Sequence, residues 1–379
     1  MLHSAMTFRK KHGDRRLAPR ELVPSLPGTC SSGTRFFWNM FHSLRVADIV
    51  DETHDAKSIV FEVPSTLVAD FAYRSGQFLT VQVDCGGELL QRCYSIASSP
   101  DCNHEHKVTV KRVQGGRVSN WLNDHLRVGD RLGVMRPEGR FVLDGVDTPL
   151  LLFAGGSGIT PVISILKTAL LTSARRATLL YANRDTNSVI FRAELDDLER
   201  RYPDRARVVH RFDDAHGLLD AQTVHALVAE ARNASCYVCG PGPFMNLVER
   251  ESTVAGIAPE RIRLERFTLT APARPAAPAQ PVEGAELPEY LEVELGGKRH
   301  RVPYTPGKTL LRAARDGGLN APFSCEEGSC GCCAADLLEG RVVMDTDEAL
   351  SADEKRRGVI LACQSRPVTR KCAFRFVGS

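Results

Sequence analysis

The chain has 379 residues, 43% of them hydrophobic and 25% charged, a size and composition that suit two or three soluble domains in series. Its net charge of +3 is too small, and its basic residues too dispersed, for a dedicated nucleic-acid binder. No apolar run approaches the roughly 18 residues that a membrane span requires, and the length excludes a small scaffold held together by disulfides.

Residues 1–42 set Arg9, Lys10, Lys11, Arg15, Arg16 and Arg20 against Asp14 and Glu21, without the apolar stretch of a secretory signal. They are read as a disordered extension outside the fold. Over 43–146 short runs rich in Val and Ile, at 58–63, 77–83 and 107–113, are separated by Gly, Pro and Asp. That rhythm predicts an antiparallel β-barrel. Over 147–270 the rhythm becomes strand then helix: strands at 149–153, 177–181 and 235–239 lead into helices at 163–171, 191–201 and 244–251. Such alternation predicts an α/β doubly wound parallel sheet. Residues 271–288 carry Pro272, Pro275, Pro278, Pro281 and Pro288 among alanines, which makes a semi-rigid linker. The last unit, 289–379, shows a hairpin at 290–302, a helix at 309–316 and a crowd of cysteines.

Those cysteines carry the strongest chemical signal. Cys325, Cys330 and Cys333 stand in C-x4-C-x2-C spacing with Cys363 further on, which is the ligand spacing of a plant-type 2Fe-2S cluster. Thiolates are soft, charged donors for iron, and Gly328 and Gly331 let backbone amides turn toward the sulfurs. A structural zinc site and unrelated thiols are the alternatives. Together with Pro322-Phe323-Ser324 and Leu361-Ala362-Cys363-Gln364, the segment resembles the plant-type ferredoxin family, which implies a β-grasp fold. Cys332 stands where that family more often has Ser, Thr or Ala, and its side chain is expected to turn away from the cluster. Crowded cysteines of this kind, with no secretory leader, point to the cytoplasm.

Arg92-Cys93-Tyr94-Ser95 and Gly115-Gly116-Arg117-Val118-Ser119-Asn120-Trp121-Leu122 resemble the R-x-Y-S and G-x-x-S-x-x-L segments of the ferredoxin-NADP reductase family, and the resemblance implies FAD. The chemistry agrees. Arg92 can neutralise a pyrophosphate, Tyr94 can lie on the flavin ring and Ser95 can hydrogen-bond near its reactive nitrogen. Gly116, Val118 and Ser119 open a helix whose N-terminal amides suit a phosphate. The turn Phe153-Ala154-Gly155-Gly156-Ser157-Gly158-Ile159-Thr160-Pro161 follows a strand and precedes a helix, so its backbone can approach a pyrophosphate. It resembles the nicotinamide-nucleotide loop of the same family, with Gly155, Gly156, Gly158 and Thr160 as its binding positions. Cys239-Gly240-Pro241 resembles the family's C-G-P motif beside the nicotinamide. Glu265-Arg266-Phe267 matches its E-x-F pattern near the flavin, which implicates Phe267. By this resemblance Tyr94, Ser95 and Cys239 are the catalytic positions.

In this order the motifs resemble flavin reductases with a C-terminal ferredoxin domain, in particular the reductase components of 3-ketosteroid 9-alpha-hydroxylase and phenylacetyl-CoA oxygenase systems. The implied activity passes electrons from NAD(P)H through FAD and the 2Fe-2S cluster to a separate oxygenase or hydroxylase component. A nicotinamide releases two electrons at once and the cluster accepts one, so a flavin must stand between them. Service to a fatty-acyl desaturase or a hybrid-cluster protein is the alternative activity, and a redox-responsive regulatory protein without turnover is the alternative class. Near the end of the second strand of the parallel sheet, Arg184 and Asp185 offer a partner for a 2′-phosphate and one for a ribose hydroxyl; the resemblance favours NADH over NADPH. Glu326 and Glu327 on the cluster loop, with Asp345, Asp347 and Glu348 nearby, are the expected rim for docking the acceptor.

Overall fold

The structure, a computed structural model, describes residues 40–102, 105–267, 287–326, 328 and 330–377. The extension expected over 1–42 and the linker expected over 271–288 therefore lie almost wholly outside the described residues, and so does Glu327.

The first unit is a six-stranded antiparallel sheet of β1 (His42–Thr53), β2 (Ala56–Glu62), β3 (Phe78–Asp84), β4 (Leu89–Ser95), β5 (His106–Lys111) and β6 (Arg131–Val134), in the order β4-β3-β6-β1-β2-β5. Alternation drives it: in β2, Ile59 and Phe61 turn into the barrel core, Ala56 and Ser58 are buried on the opposite face, and Glu62 is exposed. Irregular register at Val46/Asp48 and Asp51/Thr53 bends the long β1, which pairs with both β6 and β2. The inward set, including Leu44, Phe61, Leu79, Val81, Ile96, Val108 and Leu132, makes one core. The helix Arg117–His125 is pinned to the barrel by Asn123, whose Nδ2 donates to Val110 O at 3.1 Å.

The second unit is a parallel sheet of β7 (Leu150–Gly155), β8 (Ala177–Asn183), β9 (Ala206–Phe212), β10 (Ser235–Gly240) and β11 (Ile262–Arg266), ordered β11-β10-β7-β8-β9. β7 and β10 are buried along their whole length, as strands covered on both faces must be. Helices Ile159–Thr172 and Arg192–Arg201 pack on the face of Leu152, Leu179 and Tyr237. Helices Ala221–Glu230 and Gly242–Val254 pack on the face of Leu151, Phe153 and Val238. The helix after the glycine-rich turn begins at Ile159, earlier than the pattern suggests, because Pro161 in its first turn is compatible with helix initiation.

The third unit joins β12 (Tyr290–Leu295), β13 (Lys298–Pro303), β14 (Ala334–Glu339), β16 (Val359–Leu361) and β18 (Ala373–Phe376) in the order β13-β12-β18-β14-β16, beside a ribbon of β15 (Val342–Met344) and β17 (Ser365–Pro367). β12 and β18 run parallel, and the helix Leu310–Asp316, capped by Thr309 Oγ1 accepting from Arg312 N at 3.3 Å, packs across the sheet. This is a β-grasp. The molecule thus has the expected class: antiparallel FAD-type barrel, doubly wound α/β sheet and β-grasp domain.

Polar and apolar contacts join the units. Met40, Phe41 and Met135 pack on the core of the β-grasp, Arg140 Nη1 meets Glu354 Oε1 at 3.0 Å, and Ala352 N donates to Glu249 Oε1 at 2.9 Å. On the other side, Lys107 of β5 and Lys167 both pair with Glu194, and both ammonium groups lie over the Phe191 ring.

Glu354 also closes a capping box with Ser351 at the helix Ala352–Arg356. Glu354→Ala removes the reciprocal cap and the Arg140 pair together, a loss of about 1–2 kcal/mol. Hydrogen exchange should show lost protection at residues 352–357, with the barrel core unchanged.

Candidate functional site

The site forms where the end of β4, the C-terminal edge of the parallel sheet and the cluster loop meet. β4 places Arg92, Cys93, Tyr94 and Ser95 along one side of a cleft of about 1170 Å³, which Gly116, Val118, Ser119, Thr160 and Phe267 also line. Sequence positions from all the flavin motifs and two from the nucleotide loop, Ser157 and Thr160, therefore share a single cavity. A second cavity of about 1050 Å³ shares Arg92, Cys93, Ser95 and Phe267 with the first, and its remaining wall includes Glu265, Cys325 and Cys330. The two cavities adjoin at Arg92, Cys93, Ser95 and Phe267, between the flavin motifs and the cysteine loop.

Local structure explains why these residues arrive here. Gly116 sits in extended conformation before the helix Arg117–His125, whose first-turn residues Val118 and Ser119 are buried. Ser119 Oγ accepts from Val113 N at 3.1 Å, closing the loop onto β5. Tyr94 packs against the barrel core, and burial pushes its phenol well above the usual range, so it is a neutral ring.

The nucleotide loop is held by close backbone packing. A Cβ on Gly158 would stand 2.2 Å from Cys239 O, so only glycine lets the loop rest on the end of β10. Tyr181 Oη donates to Gly156 O at 3.0 Å, and Thr160 Oγ1 to Ser157 O at 3.0 Å. Gly155 lies against Pro241 and Gly240. Cys239 is fully buried beneath this contact, and burial followed by the nearby Glu265 raises its thiol well above the usual range. It is therefore a neutral thiol and not a nucleophilic thiolate.

Glu265 is the site residue that sequence reasoning leaves without a role. Its carboxyl is pushed up to about 8 by burial, with Ser95 Oγ donating to its Oε2 at 3.4 Å as an opposing influence. The E-x-F pattern marks its place; its protonation state depends on burial that only the fold creates.

Arg184 stands apart from the cleft. Its Nη2 pairs with Asp55 Oδ2 of the barrel at 3.1 Å, and Lys111 Nζ shares that carboxylate at 3.7 Å. Asp185 Oδ1 accepts from Asn187 N at 2.8 Å and Ser188 N at 2.9 Å, so this carboxylate caps a turn.

The cysteine loop holds its thiols as two pairs. Cys330 N donates to Cys325 Sγ at 3.4 Å and the two thiols are hydrogen-bonded, while Cys333 is hydrogen-bonded to Cys363. Gln364 Nε2 donates to Cys363 Sγ at 3.4 Å. Among the described residues no three His, Cys, Asp or Glu converge on one ion position. Two separated thiol pairs suit a binuclear cluster, in which each iron takes two thiolates, better than a single tetrahedral ion. Cys332 is buried and follows the turn at Gly331, with φ of +67°. At the docking rim, Arg315 pairs with Glu326 at 2.5 Å and lies over the Phe323 ring. Asp345 pairs with Arg366 at 2.7 Å and Asp347 with Lys355 at 3.1 Å, so these carboxylates are partly neutralised in place. No helix among the described residues is long and apolar enough to cross a membrane.

These features define an oxidoreductase with flavin, nicotinamide and iron-sulfur modules. An oxidoreductase FAD-binding domain model matches residues 43–143, an oxidoreductase NAD-binding domain model 152–250, and a 2Fe-2S iron-sulfur cluster binding domain model 293–368. The ferredoxin reductase component of 3-ketosteroid-9-alpha-monooxygenase from Rhodococcus rhodochrous is 42% identical over 339 residues, spanning 88% of this chain and 96% of the relative. A component of the 1,2-phenylacetyl-CoA epoxidase of Escherichia coli K12 is 35% identical over 344 residues, spanning 87% and 96%. The chain belongs to this family of iron-sulfur flavoprotein reductase components. The solved structure of phthalate dioxygenase reductase shares the fold, with a TM-score of 0.57 at 24% identity over 90% of this chain and 99% of that one.

A carboxyl raised by folding holds a proton that the unfolded chain releases, so Glu265 weakens folding as pH climbs from the usual carboxylate range toward 8. Above that pH its carboxylate would oppose the negative charge that a flavin bound in this cleft would gain on reduction. Flavin reduction should slow as pH rises through about 8, and Glu265→Gln should flatten that limb; stopped-flow pH profiles check it. Gly158→Ala, forced against Cys239 O at 2.2 Å, should raise the KM for the nicotinamide by about tenfold or more, measured under steady state.

Proposed function

We propose that the chain takes electrons from NADH and delivers them singly to a separate oxygenase component; its relatives are named as reductase components of monooxygenases. The observation that carries this reading is the adjoining pair of cavities, one lined by Tyr94, Ser119 and Thr160 and the other by Cys325 and Cys330, with Arg92, Cys93, Ser95 and Phe267 in both walls. FAD, when bound, supplies the conversion from a two-electron donor to a one-electron acceptor.

The chain's own residues bind and orient. Arg92 neutralises the pyrophosphate, Tyr94 lies against the isoalloxazine ring, and Gly116, Val118 and Ser119 offer amides to a second phosphate group. Gly155, Gly156, Gly158 and Thr160 hold the nicotinamide nucleotide, with Gly240, Pro241 and the neutral Cys239 packed behind them. Ser95 and protonated Glu265 form a hydrogen-bonded pair beside Phe267, screening the reacting edge from water. Cys325 with Cys330, and Cys333 with Cys363, hold the two irons. The boundaries that suit these roles are 43–146 for FAD, 147–270 for nicotinamide and 289–379 for the cluster, with 1–42 as an extension and 271–288 as a linker. The thiol chemistry of the cluster suits the reducing cytoplasm.

NADH is favoured over NADPH. A 2′-phosphate seeking Arg184 would have to displace the Asp55 carboxylate that already neutralises it. The kcat/KM with NADH should exceed that with NADPH by about tenfold, the equivalent of one charge-assisted hydrogen bond; the reverse order would overturn the preference. Mass spectrometry of the released flavin should give FAD, and FMN alone would refute the second phosphate site. Anaerobic NADH should bleach both flavin and cluster absorption, which a regulatory protein without turnover would not show. Cys330→Ser should lose iron and Cys332→Ser should retain it.

A further inference from the structure

We propose that Thr80, Cys93 and Ser324 form a buried polar bridge that fixes the cluster loop against the flavin strand and thereby sets the rate at which electrons cross between them. The inference rests on the function proposed above and adds to it three positioning residues that bind neither cofactor.

Thr80 and Cys93 face each other across the β3–β4 ladder, and their side chains approach at 3.6 Å. Both reach the same atom in the third unit: Ser324 Oγ is hydrogen-bonded to Thr80 Oγ1 and lies 3.4 Å from Cys93 Sγ. Thr80 is 1% exposed and Ser324 3%. The triangle therefore joins residues distant in sequence in a seam that is buried at Thr80 and Ser324 and half-buried at Cys93. A buried polar group that loses its partner is left unsatisfied at a cost, so this seam favours one relative placement of barrel and loop and resists sliding.

That placement matters because of what flanks it. Cys93 lies between Arg92 and Tyr94, which face the flavin cleft, and Ser324 directly precedes Cys325. Thr80, Cys93, Cys325 and Cys330 also line one cavity with Ser95 and Phe267. Cys93 occupies the free position of R-x-Y-S: it lines the flavin cleft while its Sγ reaches Ser324 on the cluster side.

The electron count is simple. NADH becomes NAD⁺ with release of a proton and two electrons to the flavin. Each crossing reduces the cluster by one electron, taking one iron from ferric to ferrous, so two crossings match one nicotinamide. The bridge acts on the crossing alone.

The test uses holoenzyme loaded with flavin and iron, in wild type and in Thr80→Val, Cys93→Ala, Cys93→Ser and Ser324→Ala. The flavin is reduced by a light flash with EDTA as the sacrificial electron donor, without nicotinamide, and cluster reduction is followed optically and by the EPR signal of the reduced cluster. Crossing should slow by about tenfold in Thr80→Val and Cys93→Ala, the scale set by small misplacement of reacting groups, and Cys93→Ser should restore it because a hydroxyl keeps the contact. Thr80→Val alters only the barrel side, so its iron and flavin content should equal wild type. Wild-type crossing in Thr80→Val and Cys93→Ala at full cofactor content would overturn the bridge, as would iron loss confined to Ser324→Ala. Failure of NADH to reduce wild-type flavin, with the flash results unchanged, would overturn the proposed function and leave the bridge standing.

Discussion

Side chains along a strand point alternately to opposite faces, and in β4 this geometry ties the units of the molecule together. Tyr94 packs toward the barrel core while Cys93 reaches the residue before Cys325, and Ser95 reaches Glu265 of the parallel sheet. A one-residue slip of β4 against β3 would send each of these side chains to the wrong partner. The register from Phe78↔Ser95 to Asp84↔Leu89 has no irregularity, in contrast to the bent β1. A straight, regular strand is what three separate contacts at one end require.

The barrel and the parallel sheet meet a second time at Lys107, Lys167 and Glu194. One carboxylate serves two ammonium groups that are nearly buried, and the Phe191 ring below them supplies a negative face. Phe191 attains this position with φ of +62°, an uncommon left-handed backbone for a bulky residue. Strain there is offset by what the ring and the helix behind it arrange. Removal of one partner would leave charge buried without compensation, which costs more than the pair itself contributes.

Much of the architecture was legible because its signals are local. The alternation in β2 and β3, the glycine turn after β7 and the cysteine spacing each predict their element within a few residues. β9 gives no such signal because it is an edge strand interrupted by Arg207, His210 and Arg211, and edge strands carry weak hydrophobic periodicity. β15, β16 and β17 have three residues each, too few to show any period. Long-range pairings had no local signal at all: nothing near Arg184 in sequence announces Asp55, and nothing near Cys93 announces Ser324. Asp185 illustrates the same limit, since a carboxylate placed to receive a ribose in sequence turns out to cap its own backbone.

The buried thiol of Cys239 has a consequence for durability. A protein that handles single electrons in air meets superoxide and peroxide close to its own sulfur atoms, and these oxidants attack thiolates far faster than thiols. With no exposed surface and its proton retained by burial, Cys239 presents neither the anion nor the access that sulfenic acid formation needs. The backbone that closes over it, Gly158 resting on its carbonyl, serves at once as a nucleotide cradle and as a shield against oxidative ageing.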